Sequence, residues 1–383
     1  MGTLPRQPAV TAQGPVLGGL ARDFLRLGAT TFGGPAVHLA VFRETFVRER
    51  GWMDDATFTR WLGAVQVIPG PNSSEMAMLI GRHRAGWAGM IVAGGAFILP
   101  SALLLGLLAW AQAELSPQPG IAGALAGLRP VMLAVMADAL RAWLPEIARE
   151  LPTRLIAAGA AAAALLGAPE VTVLLAAGLV RSLSDSRGTL ACMPILAPAP
   201  EVQPWQVAWP FLKAGALLFG SGYVVVGLLR DGLVTRLGWI TDSQLADAFA
   251  LSLATPGPIL GAASYLGMQI AGPAGALLAT GAIFLPAFVV VGLAGTVLPR
   301  LEGHRGATRF LEGVGLASVG LLLATTCSLL PLLANHPASL AWTVVAFGLL
   351  ATRRVGAGVL FWAGCLGGLL LGALDAGTRL IGH

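Results

Sequence analysis

Long apolar stretches dominate this chain, and its polar residues fall in short groups between them. Residues 86–113, GWAGMIVAGGAFILPSALLLGLLAWAQA, contain no charged side chain, and neither do residues 275–299. About 20 consecutive apolar residues are enough to cross the hydrocarbon core of a bilayer as an α-helix. The pattern therefore predicts an all-α, polytopic transmembrane helical bundle of about ten spans.

Composition supports a membrane protein and excludes several other classes. Charged residues make up 11% of the chain and hydrophobic residues 56%, with a mean hydropathy of +0.76, whereas soluble domains carry about 25% charged residues. The net charge of +5 comes from basic residues in ones to threes between apolar runs, so it indicates topology rather than a nucleic-acid partner. The three cysteines are isolated and the chain has no phosphate-binding GxxxxGK[ST] motif, so we predict no metal, no cofactor and no ATP hydrolysis.

One sequence unit occurs twice in the chain. Residues of the first half recur in the second about 187 positions later, and the offset falls by one after a Pro-Gly-Pro motif. Arg, Trp and Pro recur in order, which apolar composition alone does not produce. The pairs include Phe24 and Phe211, Gly28 and Gly215, Arg43 and Arg230, Trp52 and Trp239, Pro69 and Pro256, Gly81 and Gly267, and Gly127 and Gly313.

The basic loops predict opposite orientations for the two copies. Residues 82–84 are basic and their counterparts 268–270 are uncharged, whereas residues 300–309 are basic and their counterparts 116–120 are not. Two further pairs of corresponding loops also exchange charge. Short basic loops mark the cytoplasmic side, so the pattern predicts two inverted-topology repeats with broken or re-entrant helices, as in many secondary transporters.

The duplication also sets the predicted domain boundaries. They are an N-terminal tail over residues 1–20, a first repeat over 21–182, a Pro-rich cytoplasmic linker over 183–210 and a second repeat over 211–383. The first repeat would begin with one helix from about Phe24 to Val47, followed by a Pro-Gly-Pro hairpin and four spans. The last two spans are short and could instead form one kinked helix with Glu170 at its bend. This path leaves Arg22 and Arg26 on the outer side, against the positive-inside rule.

The Pro-Gly-Pro motifs are the first candidate for a binding site. Pro69, Gly70 and Pro71 end an apolar helical pattern, and Asn72, Ser73, Ser74 and Glu75 read as the start of a second short helix. Free amides at such a start, the positive end of the helix dipole and the two serine hydroxyls suit a dehydrated tetrahedral dianion. The second copy, Pro256, Gly257 and Pro258, is followed by apolar residues and offers backbone donors only. An external tight turn is the alternative.

A second break and several ionisable residues complete the candidates. Gly33 and Gly34, with Gly220 in the second copy, permit close approach of either a helix or a ligand. Arg43 and Arg230 could supply a cation for the anion, or only fix topology at the membrane interface. Proton-coupling candidates, each with a structural alternative, are His38, Glu44, Glu75 and Asp231.

These motifs resemble the chromate ion transporter family in its long two-domain form. The resemblance rests on FLRLGATTFGGPAVHLAVFRETFVRERGWMDD and VQVIPGPNSSEMAMLIGRHRAGWAGM in the first half, and on FLKAGALLFGSGY and ATPGPILGAASYLGMQIAGPAGALLA in the second. It implies a multi-pass protein of the bacterial inner membrane that exports chromate, driven by the proton motive force and giving chromate resistance. Glu75 departs from the amide expected of the family. The family motif corresponds here to Gly33, Gly34, Pro35, His38, Arg43, Trp52, Gln66, Pro69, Gly70, Pro71, Ser73 and Ser74.

Other functions stay open at the sequence level. Chromate and sulfate are nearly isosteric dianions, so a sulfate or other oxyanion carrier is an alternative, as is a passive anion channel of the same fold. A homodimer is also left open. A membrane hydrolase would need a nucleophile beside a base, and only Ser73, Ser74 and Glu75 cluster, without a repeated His; we predict that the chain is not an enzyme.

Overall fold

A computed structural model describes residues 13–67, 70–115, 119–148, 150–183, 204–219, 222–302, 305–333 and 337–381. Every regular element in these residues is helical, as the apolar pattern predicts. The first repeat contains α1 (Gln13–Thr30), α2 (Pro35–Phe42), α3 (Asp55–Val67), α4 (Asn72–Leu115), α5 (Pro119–Ile147), α6 (Leu151–Leu165) and α7 (Glu170–Leu183). The second contains α8 (Pro204–Ala216), α9 (Val224–Leu229), α10 (Asp242–Ala254), α11 (Ala262–Glu302), α12 (Arg305–Leu329), α13 (Pro337–Ala351) and α14 (Ala357–Ile381).

The predicted break of the first helix at Gly33 and Gly34 is confirmed, but the prediction that both parts form one helix from about Phe24 to Val47 is wrong, because the chain reverses between α1 and α2. Gly33 and Gly34 have φ of 110° and 80°, which only glycine adopts readily, and Pro35 then starts α2. The returning arm packs against α1: the rings of Phe24 and Phe46 lie 4.9 Å apart. Apolar periodicity indicates a helix on either side of the break, and it does not distinguish a kink from a reversal.

A second helical hairpin follows, and here the predicted break is confirmed. Helix α3 ends at Val67, before the Pro-Gly-Pro motif, and α4 begins at Asn72. Helix α4 is itself bent back at Ala85 and Gly86, which have non-helical dihedral angles. The two arms of α4, before and after this bend, pack closely at Gly81 and Gly89. A Cβ on Gly81 would overlap the backbone of Gly89. The short arm of α4 therefore belongs to the hairpin, and the long arm, residues 87–115, is the first continuous span.

The second repeat reproduces these irregularities in detail. Ala271 and Gly272 bend α11 with dihedral angles close to those of the first bend, and Gly267 packs on Gly275 as Gly81 does on Gly89. Single turns of π-helix follow α2 and α9 at Arg43–Glu49 and Arg230–Arg236. Shared deviations of this kind are typical of a duplicated unit rather than of two unrelated helical domains.

Equivalent helices of the two repeats run antiparallel. In the long arms of α4 and α11, Gly94 packs on Phe288 and Trp87 packs on Gly292, so the lower residue number of one arm meets the higher number of the other. The repeats also pack on each other through two equivalent contacts. Gly127 on α5 touches Gly364 on α14, and Gly313 on α12 touches Gly178 on α7. The two halves are thus related by a pseudo-twofold axis roughly perpendicular to the long helices.

Several of the described helices suit a membrane by length and composition. Four are long and apolar enough to cross it, at Asn72–Glu114, Ile121–Pro145, Ile259–Leu293 and Arg309–Leu333. Shorter apolar helices lie at Leu151–Leu165, Ala338–Ala351 and Ala357–Leu370. Helices α6 and α7 are separate, with a turn at Gly167, whose φ is 85°. Most of the linker predicted over residues 183–210 lies outside the described residues.

The reversal of the first helix removes the conflict with the positive-inside rule. Arg50 pairs with Asp23 on α1 at 2.6 Å, and the guanidinium groups of Arg50 and Arg84 lie 5.7 and 4.9 Å from the ring centroid of Trp52. The α1 residues near Asp23, the loop after α2 and the bend of α4 therefore lie at one end of the molecule. Arg22, Arg26, Arg50 and Arg84 therefore lie at the same end.

Candidate anion-binding site

Hydrogen bonds between the two repeats join four chain reversals in pairs. The amide of Gly70 donates a hydrogen bond of 2.7 Å to the carbonyl of Leu218, and the amide of Gly257 donates one of 3.1 Å to Thr31. Each bond joins a Pro-Gly-Pro motif of one repeat to the first hairpin of the other. We call the reversals, residues 31–34, 70–71, 218–219 and 255–258, the central junction. The sequence suggested that the backbone amides of the Pro-Gly-Pro motifs are free to bind an anion. In the structure, the amides of Gly70 and Gly257 are instead occupied by these hydrogen bonds.

Within the described part of the chain, further hydrogen-bond donors lie at the start of α4. The amides of Asn72, Ser73 and Ser74 lie in the first turn of α4, where backbone N–H groups have no carbonyl partner within the helix. The helix dipole adds partial positive charge at the same end. Ser73 and Ser74 are buried, and the hydroxyl of Ser74 has no hydrogen-bond partner among the described residues. This arrangement can bind an oxyanion with both backbone and hydroxyl donors.

Glu75 closes the same site on the side of Gly70. Its carboxyl is fully buried, and neither oxygen has a hydrogen-bond partner in the described part of the chain. It lies so close to Gly70 that a Cβ there would overlap it. Burying an unpaired carboxylate is very costly, so this environment favours the neutral acid.

The second Pro-Gly-Pro motif is more apolar, as the sequence predicts. Gly257 and Pro258 are buried, Pro256 is half-buried, and a short 3₁₀ turn at Ile259–Gly261 leads into α11. The hydroxyl of Ser101 on α4 lies 3.4 Å from the carbonyl of Pro258. Ser101 is equivalent to Ala287, which packs on Gly70. The polar donors of the junction are thus concentrated in the first repeat.

His38 holds the first reversal together. Its Nε2 lies 3.2 Å from the carbonyl of Thr31, which can only accept, so Nε2 carries the proton. The ring lies edge-on to Phe97, with centroids 5.2 Å apart. A neutral histidine in this tautomer has no second N–H to offer an anion, so the geometry favours a structural role. Gly33 and Gly34 form the reversal itself.

The two repeated arginines lie away from the junction in ion pairs. Arg43 pairs with Asp55 and Arg230 with Asp242, each with an Nε–Oδ1 distance of 2.7 Å. The guanidinium of Arg43 hydrogen-bonds the Asp55 carboxylate and holds its pKa below the ordinary value. These contacts favour the topological role that the sequence left open. Of the paired acids, Glu44 bonds to Arg48 at 2.9 Å in an exposed pair, and Asp231 bonds to Arg236 at 2.7 Å.

A cavity of about 470 Å³ leads to the junction from the basic end of the molecule. Its walls are α1, α2 and the π-helical turn, and it extends from Arg26, Asp23 and Arg50 to Thr31 and Phe32. The sequence analysis missed Arg26 as a site residue, although a basic residue recurs at its equivalent, Lys213. Tyr223 was also missed; its hydroxyl lies 3.5 Å from the position that a Cβ would take on Gly34.

Two predicted site residues, Pro69 and Gly220, lie outside the described residues. Other charged residues of the helices also form ion pairs: Arg129 with Asp247 at 2.7 Å, Asp138 with Arg141 at 2.7 Å, and Lys213 with Asp231 at 3.7 Å. No group of three His, Cys, Asp or Glu side chains suited to a metal ion occurs in the described ranges.

An all-helical, apolar fold of two related halves, with broken helices that meet around buried polar groups, defines a multi-pass membrane transporter. The chain belongs to the chromate transporter family, whose model matches residues 19–182 and again residues 205–373. It is a transporter by family and not an enzyme.

Proteins from several organisms are similar to this chain over most of its length. A chromate transport protein of Pseudomonas aeruginosa is 30% identical over 341 residues, covering 83% of this chain and 82% of the relative. One of Cupriavidus metallidurans is 28% identical over 344 residues, covering 83% and 85%. An uncharacterised transporter of Methanocaldococcus jannaschii is 23% identical over 330 residues, covering 79% and 82%. No solved structure matches the chain.

Proposed function

We propose that this protein is a secondary carrier that moves chromate out across the bacterial inner membrane by alternating access. The observation that carries the proposal is the start of α4 at the central junction, where the hydroxyl of Ser74 and the carboxyl of Glu75 are buried with no hydrogen-bond partner among the described residues. Buried polar groups are nearly always satisfied, so unpartnered donors at a helix start indicate a ligand site. The relatives named as chromate transport proteins indicate which anion.

The proposed membrane topology is an inverted repeat. The antiparallel long arms of α4 and α11 and the pseudo-twofold axis support it, as does the exchange of basic loops between the halves. Inverted repeats place the substrate near the midplane, at broken helices whose ends supply the binding groups. We place the basic end of the first repeat in the cytoplasm.

Unequal packing of the two repeats favours a carrier over a channel. Val37 on α2 is 42% exposed and lines the cavity, whereas its equivalent Val224 on α9 is 1% exposed. All six residues of α9 are buried, and Gly227 among them packs on Thr325 of α12. The face of the first repeat is thus open and the equivalent face of the second is closed. Exchange of these two arrangements would expose the junction to opposite sides in turn.

Glu75 is the proposed link to protons. A carboxylate beside a bound dianion would repel it, whereas the protonated acid would not and could donate a hydrogen bond. Chromate binding would therefore be accompanied by protonation of Glu75, and release by its deprotonation. Replacement by Gln keeps the shape and removes the titration, so Glu75→Gln is expected to abolish the pH dependence of anion binding.

The test is radiolabelled chromate exchange in proteoliposomes. The wild type should show saturable exchange that depends on anion on the opposite side. Ser74→Ala should raise the half-saturating concentration about tenfold or more, because a hydrogen bond to a charged group is worth roughly 1.5–3 kcal/mol. The control is Thr235→Ala, which removes an exposed hydroxyl in the π-helical turn after α9.

The two remaining alternatives give different results in the same assay. A passive channel of this fold would show flux that does not saturate and ignores anion on the opposite side. A sulfate carrier would exchange sulfate at least as well as chromate when the two compete. Unchanged half-saturation for Ser74→Ala would remove this helix start from the binding site.

A further inference from the structure

Another buried acid, Glu170 on α7 of the first repeat, packs against the closed face of the second repeat. Glu170 begins α7, is only 8% exposed, and its Oε2 has no hydrogen-bond partner among the described residues. Its Oε1 lies 3.4 Å from the position that a Cβ would occupy on Gly227 of α9. The neighbouring Thr325 hydroxyl donates to the Leu321 carbonyl at 2.8 Å. No proposed transport step so far uses this carboxyl.

The nearby charges are engaged with other partners. Lys213, Arg230, Asp231 and Arg236 lie within electrostatic reach of Glu170, and all belong to the first hairpin of the second repeat. Lys213 and Arg236 pair with Asp231, and Arg230 pairs with Asp242. A carboxylate at Glu170 would therefore be buried without a dedicated counter-ion, whereas a neutral carboxyl is tolerated.

The open face of the first repeat shows what movement would do to this acid. The residue equivalent to Gly227 is Ala40, which is exposed. The residue equivalent to Glu170 is Gly356, also exposed, so the open face carries no such acid. If α9 moved away as α2 has done, Glu170 would meet water on the side opposite to the cavity.

We propose that Glu170 is a proton-binding site that controls closure of the second-repeat face. Opening hydrates the carboxyl, which ionises; closure requires the carboxylate to take one proton from water on that side and become the neutral acid. The asymmetry between Glu170 and Gly356 makes only this face sensitive to pH. The inference rests on the alternating access proposed above, and it concerns a site separate from Ser74 and Glu75.

The test measures access to the face without requiring transport. Cys192, Cys327 and Cys365 are replaced, Val224→Cys is introduced, and the protein in proteoliposomes reacts with a membrane-impermeant maleimide at several pH values. Labelling should rise with pH, by up to about tenfold per unit for a one-proton step. Glu170→Gln should remove this dependence and keep labelling low, and Glu170→Asp should retain it. The matched control, Glu150→Gln, replaces an exposed acid at the start of α6 and should behave as the wild type.

Two results would overturn the proposal. One is pH-dependent labelling in Glu170→Gln equal to that of the wild type. The other is a failure of Glu170 in the wild-type protein to react with a hydrophobic carbodiimide at any pH, because such a reagent should modify a buried neutral carboxyl. This measurement needs no variant. Chromate exchange by the wild type is measured in parallel, to separate this proposal from the proposed carrier function. If exchange is absent but labelling depends on pH, the carrier function is contradicted and the proton site at Glu170 is still supported.

Discussion

Glycines set the closest approaches between helices in this fold. A Cβ on Gly28 would overlap the backbone of Phe97, and one on the equivalent Gly215 would overlap that of Ile283. Small residues allow membrane helices to approach closely, since packing rather than water drives their association. These glycines recur in the sequence, but a glycine needed for contact cannot be told from one needed for a turn by its position alone.

We expect Gly28→Ala to destabilise the protein by about 1–3 kcal/mol, the usual cost of overpacking. The matched control is Gly18→Ala on the same helix, where a Cβ would meet nothing within 4 Å. Alanine favours a helix over glycine, so the control should be neutral or slightly stabilising. The melting temperatures of the detergent-solubilised proteins provide the comparison. Equal melting temperatures would mean that α1 and α4 are not in close contact.

Helical elements could be predicted from sequence much better than their directions. The duplication, the Pro-Gly-Pro break and the polar start of α4 at Asn72 follow from composition and recurrence. The reversal at Gly33 did not, because periodicity carries no information about how two helices are oriented across a break. The hydrogen bonds from Gly70 to Leu218 and from Gly257 to Thr31 link distant residues, and a single sequence does not report such contacts.

Two ion pairs between elements differ in what they contribute. Arg129 on α5 and Asp247 on α10 connect the repeats, with side chains 25% and 4% exposed. Arg43 and Asp55 form a similar pair at the surface, 41% and 56% exposed. Removing one partner of the Arg129–Asp247 pair leaves a buried charge without a counter-ion, which is destabilising. Removing one partner of the Arg43–Asp55 pair leaves a charge that water still solvates, so the cost is small.

Asp247→Asn should therefore cost about 3–5 kcal/mol, whereas Asp55→Asn should leave stability nearly unchanged. The double substitution Arg129→Met with Asp247→Leu removes both charges and should recover most of the loss, since well-packed apolar residues often replace a buried pair without cost. Thermal unfolding in detergent gives all three values. Similar melting temperatures for Asp247→Asn and Asp55→Asn would contradict a buried pair.

At the scale of the whole molecule, the proposed inversion would explain how one duplicated unit forms the proposed carrier. Two oppositely oriented copies would present the same hairpins on opposite sides of the membrane, around a shared junction. In this proposal, the face open at Val37 and the face closed at Val224 exchange arrangements during transport. The residues that differ between the copies, Ser74 and Glu170, would then give the cycle its substrate and its direction.

Sided labelling of two equivalent residues tests this inversion most directly. Arg48 and Thr235 occupy corresponding exposed positions in the two π-helical turns. In a cysteine-free background, Arg48→Cys should react with an impermeant thiol reagent only from the cytoplasmic side, and Thr235→Cys only from the opposite side. Reaction of both cysteines from the same side would contradict the inverted arrangement.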